Sequence, residues 1–405
     1  MALSAPYAVP YGGYWCTPFA RWQGSLAHVH SLELAAHGAR LALTARGLEA
    51  SAFDGGVLGL TVPQRHSFYG LPWLAAMLGA PGLAGPTIMQ ACATGARVLA
   101  TACGEIASGV AQCVLAITAD RVSNGPHLYY PDPGAAGGTG MSEDWVIGNF
   151  ERDPHAACAM VETAENCARH WSVDTAEQHA LVVRRYEQYQ AACAPDAHGR
   201  CFHDRYMLRP FPVPGRRPGG VQAVLDGDEG VHPTSAEGLA RLRPLRPDGT
   251  VTYGGQTHPA DGNAGMIVTT PERARELSRA PHIEVRIVAW GQARAAAAWM
   301  PAAPIAAARA ALAQAGLGFS DLAAIKSHNP FAVNDAVFAR ETGVDVMHMN
   351  NYGSSLIWGH PQAPTGMRAI IELIEELAER GGGYGLYHGC AAGDSAMAVV
   401  VAVDG

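Results

Sequence analysis

Lysine is almost missing from this chain. Of its 28 basic residues only Lys326 is a lysine, and the rest are arginine. No basic block occurs, and the formal net charge is −8. That balance argues against nucleic acid or an anionic membrane as a partner. Charged residues are only 16% of the chain, below the ~25% usual in globular proteins. No apolar run reaches the ~18 residues that a membrane span needs. The stretch from Met1 to Trp15 lacks a basic segment followed by an apolar one, so no secretory signal is expected and the predicted location is cytoplasmic. The nine cysteines form no Cys-x-x-Cys pair, and their number is odd. A disulfide framework is therefore not expected. No phosphate-cradling or dinucleotide glycine motif opens a strand–helix unit, so neither ATP nor NAD is implied.

What the chain does have is length and apolar mass. Its 405 residues are 48% apolar, enough for two or three domains with a large core. Short apolar runs alternate with Ala-rich helical stretches, an α/β pattern. Pro86 to Gln90 reads as a strand, Ala96 to Ser108 as a helix, and Cys113 to Thr118 as a strand. Further strands are expected over 283–290, 322–326, 384–388 and 396–403, with a helix over 305–315. Thr365 to Arg380 reads as an amphipathic helix: Met367, Ile370, Ile371, Ile374 and Leu377 recur at helical spacing, with Glu372, Glu375, Glu376 and Glu379 largely opposite. From about Asn124 to Thr250 the chain turns rich in Pro, Gly, His and charge, with helical stretches at 157–171 and 175–192 and few strands. This reads as an insertion between α/β halves.

Three small-residue loops hold candidate chemistry. Cys92 lies between a strand and a helix in Gln90-Ala91-Cys92-Ala93-Thr94-Gly95. A helix N-terminus stabilises a thiolate, so Cys92 is a nucleophile or else a packed core cysteine. His360 follows Gly359 and precedes Pro361, where a fixed imidazole can take a thiol proton. A lone histidine among seventeen is more often structural or exposed. Cys390 opens Cys390-Ala391-Ala392-Gly393-Asp394 between two strands, as an acid/base thiol or a core residue. Cys193, His198, Cys201 and His203 are zinc-type ligands, but their spacing fits no standard finger, and no metal site is assigned.

Together the loops resemble the thiolase family, whose signatures are a nucleophilic Cys followed by small residues and Gly, a Gly-His-Pro loop, and a Cys-x-Gly loop near the C-terminus. The resemblance spans the chain. Cys16-Thr17-Pro18-Phe19, Thr163-Ala164-Glu165-Asn166, Leu242-Arg243-Pro244, Gly249-Thr250-Val251-Thr252 and Asp261-Gly262 fall in the family's order. It implies an α-β-α-β-α layered sandwich of two similar halves with an inserted loop domain. The N-terminal half would be residues 1–123 and 251–280, the insertion 124–250, and the C-terminal half 281–405.

The resemblance also implies chemistry: a thiolase-type acyltransferase that forms or cleaves a β-ketoacyl-CoA. Cys92 would carry the acyl group, His360 would activate it, and Cys390 would move the α-proton. Backbone N–H groups of Cys92 and Ala392 would bind one oxyanion. His328-Asn329-Pro330-Phe331 stands where the family has Asn-Glu-Ala-Phe, so His328 would serve the other oxyanion. Cys92, His328 and His360 also resemble the Cys-His-His set of decarboxylating condensing enzymes, but Cys390 favours the thiolase reading. Coenzyme A thioesters are the implied substrates, with no permanently bound cofactor. Thr257, Met160, Met300, Phe331, Arg216 and Arg217 are the candidate contacts with the coenzyme A thioester. Other positions depart from the family: Ala159 replaces a His, Val231 an Arg and His258 a Gly. The departures leave open a specialised condensing enzyme with a non-standard acyl carrier or donor, or a non-catalytic thiolase-like subunit. A homodimer or homotetramer is implied, with no nucleic acid or membrane partner.

Overall fold

Buried strands flanked by helices dictate the architecture. The computed structural model describes residues 6–217 and 219–405. One sheet runs Tyr14–Cys16, Ala260–Thr269, Cys113–Arg121, Gly55–Gly59 and Thr87–Ile88, with Ala20–Arg21 also paired to Ala260–Thr269. The second runs Val9–Pro10, Glu284–Arg294, Ser395–Asp404, Gly382–Ala391 and Leu322–His328. Each half follows one plan. Its first main strand lies antiparallel to its last, the last antiparallel to the one before it, and that one parallel to the second. The C-terminal half is thus a topological copy of the N-terminal half.

The strands read as unbroken apolar runs because both faces of each sheet are covered. Along Cys113–Arg121, Val114 and Ala116 face the core between the sheets, while Leu115 and Ile117 face an outer one. Along Ser395–Asp404, Val399 and Val401 face the central core, while Ala398 and Val400 face outward. Helices Ser31–Ala45 and Gly70–Leu78 cover the outer face of the first sheet, and Ala303–Ala315 that of the second. Helices Thr94–Ala107 and Ala363–Glu379 fill the space between the sheets. The result is the five-layered α/β sandwich that the resemblance implied.

The two central helices meet backbone to backbone. A Cβ on Gly95 would sit 2.5 Å from the Met367 nitrogen and 2.7 Å from the Ala363 carbonyl oxygen. Asp120, at the end of Cys113–Arg121, also accepts from the Ala363 N–H at 2.9 Å. These contacts draw the loops that precede both helices together.

The polar face of the Ala363–Glu379 helix does not meet water. Glu372, Glu375 and Glu376 are buried. Glu372 pairs with Lys326 at 2.7 Å and Arg368 at 3.0 Å. Glu375 accepts from the hydroxyls of Tyr11 and Tyr14 and from Arg279. Glu376 accepts from Asn351 and Arg380. Spacing reveals that a helix has a polar face; what that face meets is settled by packing. Arg368 also clamps Asp228 through two hydrogen bonds of 2.6 and 2.8 Å, tying the 124–250 segment to the C-terminal half. Within that segment two hairpins form, His127–Tyr130 with Met141–Asp144 and Phe211–Pro214 with Val221–Leu225. Neither joins a large sheet.

Boundaries shift by a few residues from the sequence reading. The strand expected over 86–90 shrinks to Thr87–Ile88, and the following helix begins at Thr94. No helix among the described residues is long and apolar enough to cross a membrane.

Lys326 donates to the carbonyls of Asn351 and Gly353 as well as pairing with Glu372. Replacing it by Met leaves a buried carboxylate short of one cation and two carbonyls without a donor. Urea denaturation of Lys326→Met should show a loss of about 3–5 kcal/mol; a loss below about 1 kcal/mol would mean that Arg368 and the Tyr206 hydroxyl, which donates to Glu372 at 2.7 Å, satisfy the carboxylate by themselves.

Candidate active site

Cys92 is delivered by a sharp turn. The chain leaves the strand Thr87–Ile88, passes Ala91 at φ 43°, and enters the helix at Thr94. The Thr94 hydroxyl fastens the turn, donating to the Ala91 carbonyl at 2.7 Å and accepting from the Gln90 N–H at 2.8 Å. The N–H groups of Cys92 and Ala392 are directed at the sulfur and favour a thiolate. Burial acts the other way and wins, pushing the thiol up to about 11. A helix N-terminus offers roughly 1 kcal/mol, less than one pKa unit, whereas full burial shifts a group by several units. The sequence expectation of a thiol lowered by its helix is therefore corrected: the resting group is a neutral thiol and requires a base.

That base lies beside it. His360 comes from the loop that opens the second central helix, and His328 from the end of strand Leu322–His328. Their rings stack at 4.1 Å between centroids. The ligating atoms of Cys92, His328 and His360 all lie within 4.8 Å of one another, the one such His, Cys, Asp and Glu cluster among the described residues. Burial lowers the His360 imidazole to about 3 and holds His328 well below its ordinary value, with the neighbouring ring adding to the effect on His328. Both rings are neutral at physiological pH.

Each ring is held by its Nδ1 and leaves its Nε2 free. His360 Nδ1 lies 2.7 Å from the Thr365 hydroxyl, and His328 Nδ1 lies 2.9 Å from the Ser355 hydroxyl. Neither Nε2 has a protein partner. A hydroxyl donates or accepts, so it supports either tautomer of its histidine. Behind His328 stands a buried polar network. Asp335 accepts from Ser327, Asn329, Asn350 and Arg185 at 2.6 to 3.0 Å. It fixes the loop that carries His328, as a second layer of bonds fixes a preorganised site.

Cys390 ends up differently placed. It lies near the end of the strand Gly382–Ala391, and its sulfur accepts from Asn334 Nδ2 at 3.3 Å. Burial, and then the nearby Cys92, keep the thiol well above its ordinary value. Cys390 is fully buried, and Ala392, two residues on, lines the cavity.

The cavity is about 570 Å³. Thr257, Met160, Met300 and Phe331 line it, as does Ala159, and the Thr257 hydroxyl is already bonded to the Ser355 carbonyl. Arg216 and Arg217 do not line it; they sit in the turn of the hairpin Phe211–Pro214/Val221–Leu225. His258 is packed against Gly359 with its Nε2 unpartnered. The four zinc-type residues do not converge. Cys193 reaches only His203, at 3.7 Å, and His198 lies exposed in a turn. Sequence reasoning missed Thr365, Ser355, Asn334 and Gln362. Thr365 and Gln362 lie within five residues of His360, so a reading of the whole loop would have reached them. Ser355 and Asn334 carry no local signal.

A thiol raised by burial reacts only as fast as its small thiolate fraction allows. Alkylation of Cys92 by iodoacetamide, followed by peptide mass spectrometry, should keep rising with pH toward about 11. A plateau near the ordinary cysteine value of about 8.5 would show that the two N–H groups offset burial in full.

Comparison with known proteins gives this geometry a family. Residues 14–272 match the thiolase N-terminal domain, and residues 282–403 match the thiolase C-terminal domain. An acetyl-CoA acetyltransferase of Pseudomonas aeruginosa is 29% identical over 395 residues, covering 96% of this chain and 97% of that one. A β-ketoadipyl-CoA thiolase of Pseudomonas knackmussii is 30% identical over 400 residues, covering 95% and 96%. The crystal structure of human mitochondrial 3-ketoacyl-CoA thiolase in complex with CoA aligns over 99% of both chains, at a TM-score of 0.87 and 25% identity. With both domains matched in order along nearly its whole length, this chain belongs to the thiolase family of acyltransferases.

Proposed function

We propose that this thiolase forms or cleaves a β-ketoacyl-CoA by Claisen chemistry through an acyl group on Cys92. The carrying observation is one sulfur beside two neutral imidazoles whose Nε2 atoms are unpartnered. Cys92 attacks the thioester carbonyl while its proton passes to His360 Nε2. The carbon–sulfur bond to CoA breaks, and the proton leaves on the CoA thiol. A buried imidazolium is costly at this site, so the proton moves with the attack rather than before it. The N–H groups of Cys92 and Ala392, already aimed at the sulfur, bind the oxygen of the acyl thioester. His328 and His360 serve the oxygen of the second thioester through their Nε2–H tautomers.

In the synthetic direction Cys390 takes the α-proton of the second acyl-CoA, and the resulting carbanion displaces Cys92 from the acyl carbon. In the degradative direction these steps reverse. The hydrogen bond from Asn334 to the Cys390 sulfur supports this role, since it favours the thiolate. Acetyl-CoA and β-ketoadipyl-CoA, named for the relatives, are the first thioesters to assay.

A homodimer fits the surface. Phe68 is 95% exposed, Tyr69 64% and Met89 58%, all beside the edge strand Thr87–Ile88. Exposed apolar side chains grouped at a sheet edge mark an interface. Met89 also lines the cavity, so a partner subunit seated here would reach the cavity mouth.

Three outcomes test these assignments. Intact mass after incubation with acetyl-CoA should show an acyl adduct that Cys92→Ala abolishes; an adduct retained on another residue would end the nucleophile assignment. Cys390→Ala should still acylate but lose condensation and thiolysis by about 10²–10⁴-fold; normal condensation would remove Cys390 from the mechanism. Sedimentation should report a dimer that Phe68→Arg weakens, and a monomeric wild type would dismiss the interface.

A further inference from the structure

One polar group touches the nucleophile without a part in the mechanism above. The Gln362 side chain is 7% exposed and lines the cavity. Its Oε1 lies 3.4 Å from the Cys92 sulfur and accepts the thiol proton. Its Nε2 makes no hydrogen bond among the described residues and is not among the sealed, unpartnered atoms. The amide group therefore faces the cavity with free N–H donors.

The backbone holds it there at some strain. Gln362 adopts φ 57° and ψ −106°, a conformation that L side chains rarely take, and the next residue opens the buried helix Ala363–Glu379. Strain of this kind persists where the surroundings over-determine it, and it clusters at functional sites. The cavity wall mixes apolar side chains such as Met89, Val146 and Phe150 with the polar Glu143 and Asn149.

We infer that Gln362 selects the acyl group carried by Cys92, favouring a short acyl chain with a hydroxyl oxygen on its second or third carbon. The inference rests on the acyl-Cys92 reading and goes beyond it. An amide in contact with the sulfur lies within hydrogen-bond reach of substituents on the first few carbons attached to that sulfur. A plain alkyl chain would cover the N–H donors and leave them unpaired, a loss that a hydroxyl repairs. A hydroxyl both donates and accepts, so it suits the carboxamide in either orientation. Sites built to bond a substrate hydroxyl discriminate strongly against the analogue lacking it.

The experiment compares acylation rates of Cys92, followed by intact mass, for 3-hydroxybutyryl-CoA against butyryl-CoA and 2-hydroxypropionyl-CoA against propionyl-CoA. The wild-type enzyme should favour the hydroxyl partner by about tenfold or more in at least one pair. In Gln362→Leu that ratio should fall to about one. Equal rates within both wild-type pairs would overturn the inference while leaving the acyl-enzyme reading intact, and this comparison needs no variant. A preference that survives in Gln362→Leu would assign the selection to another residue and also overturn it. If neither acetyl-CoA nor any of the four thioesters acylates Cys92, the parent reading falls and takes this one with it.

Discussion

The approach of two buried helices at Gly95 governs the rest of the structure. No side chain larger than hydrogen fits between that residue and the backbone of the Ala363–Glu379 helix. Each helix opens with one half of the site: Cys92 lies two residues before the first, and His360 three residues before the second. The helices belong to different halves of a duplicated fold, so the site exists only where the halves meet. A spacing wider by one methyl group would part the sulfur from the imidazoles. Asp120 reinforces the junction by binding Thr61 and Val62 on one side and the Ala363 N–H on the other.

Burial at that junction then sets the chemistry. Each titratable group in the cluster is pushed toward its neutral form: the thiol upward, the imidazoles downward. Two imidazoles stacked face to face are tolerated because neither is charged. A neutral thiol beside neutral imidazoles stores no ion pair, so charge develops only when a substrate carbonyl arrives to share it. The hydroxyls of Thr365 and Ser355 suit that state, since a hydroxyl follows whichever tautomer the reaction step demands. The small residues around Cys92 thus do more than leave room for an acyl group; they let the two N–H donors approach the sulfur.

The central helix illustrates how a layered fold spends its few charges. Its glutamates are buried against tyrosines, arginines and the single lysine of the chain. Arg368 reaches Asp228 on one side and stacks over Trp358 at 4.4 Å on another. This network joins the inserted segment to the C-terminal half and carries the loop that holds Ser355. The few charges that this chain buries fasten its layers together.

Much of the fold was legible in the sequence. The apolar runs of Cys113–Arg121 and Ser395–Asp404 announce strands covered on both faces, and the loops at Cys92, His360 and Cys390 announce themselves by their small neighbours. Local chain chemistry fixes these, because strand, turn and helix start depend on residues near one another. The spacing of Glu372, Glu375 and Glu376 gave a polar face but not its burial, because that depends on Tyr11, Tyr14, Lys326 and Arg279 arriving from elsewhere. The protonation state of Cys92 went the same way: a helix start argues for a lowered thiol, and desolvation by both halves reverses it. The Asn334 amide on Cys390, Ser355 beneath His328 and Gln362 against the sulfur were likewise decided by packing. Sequence determines which groups can do chemistry; the dielectric, the partners and the line of access come only from residues that the folded chain brings in from a distance.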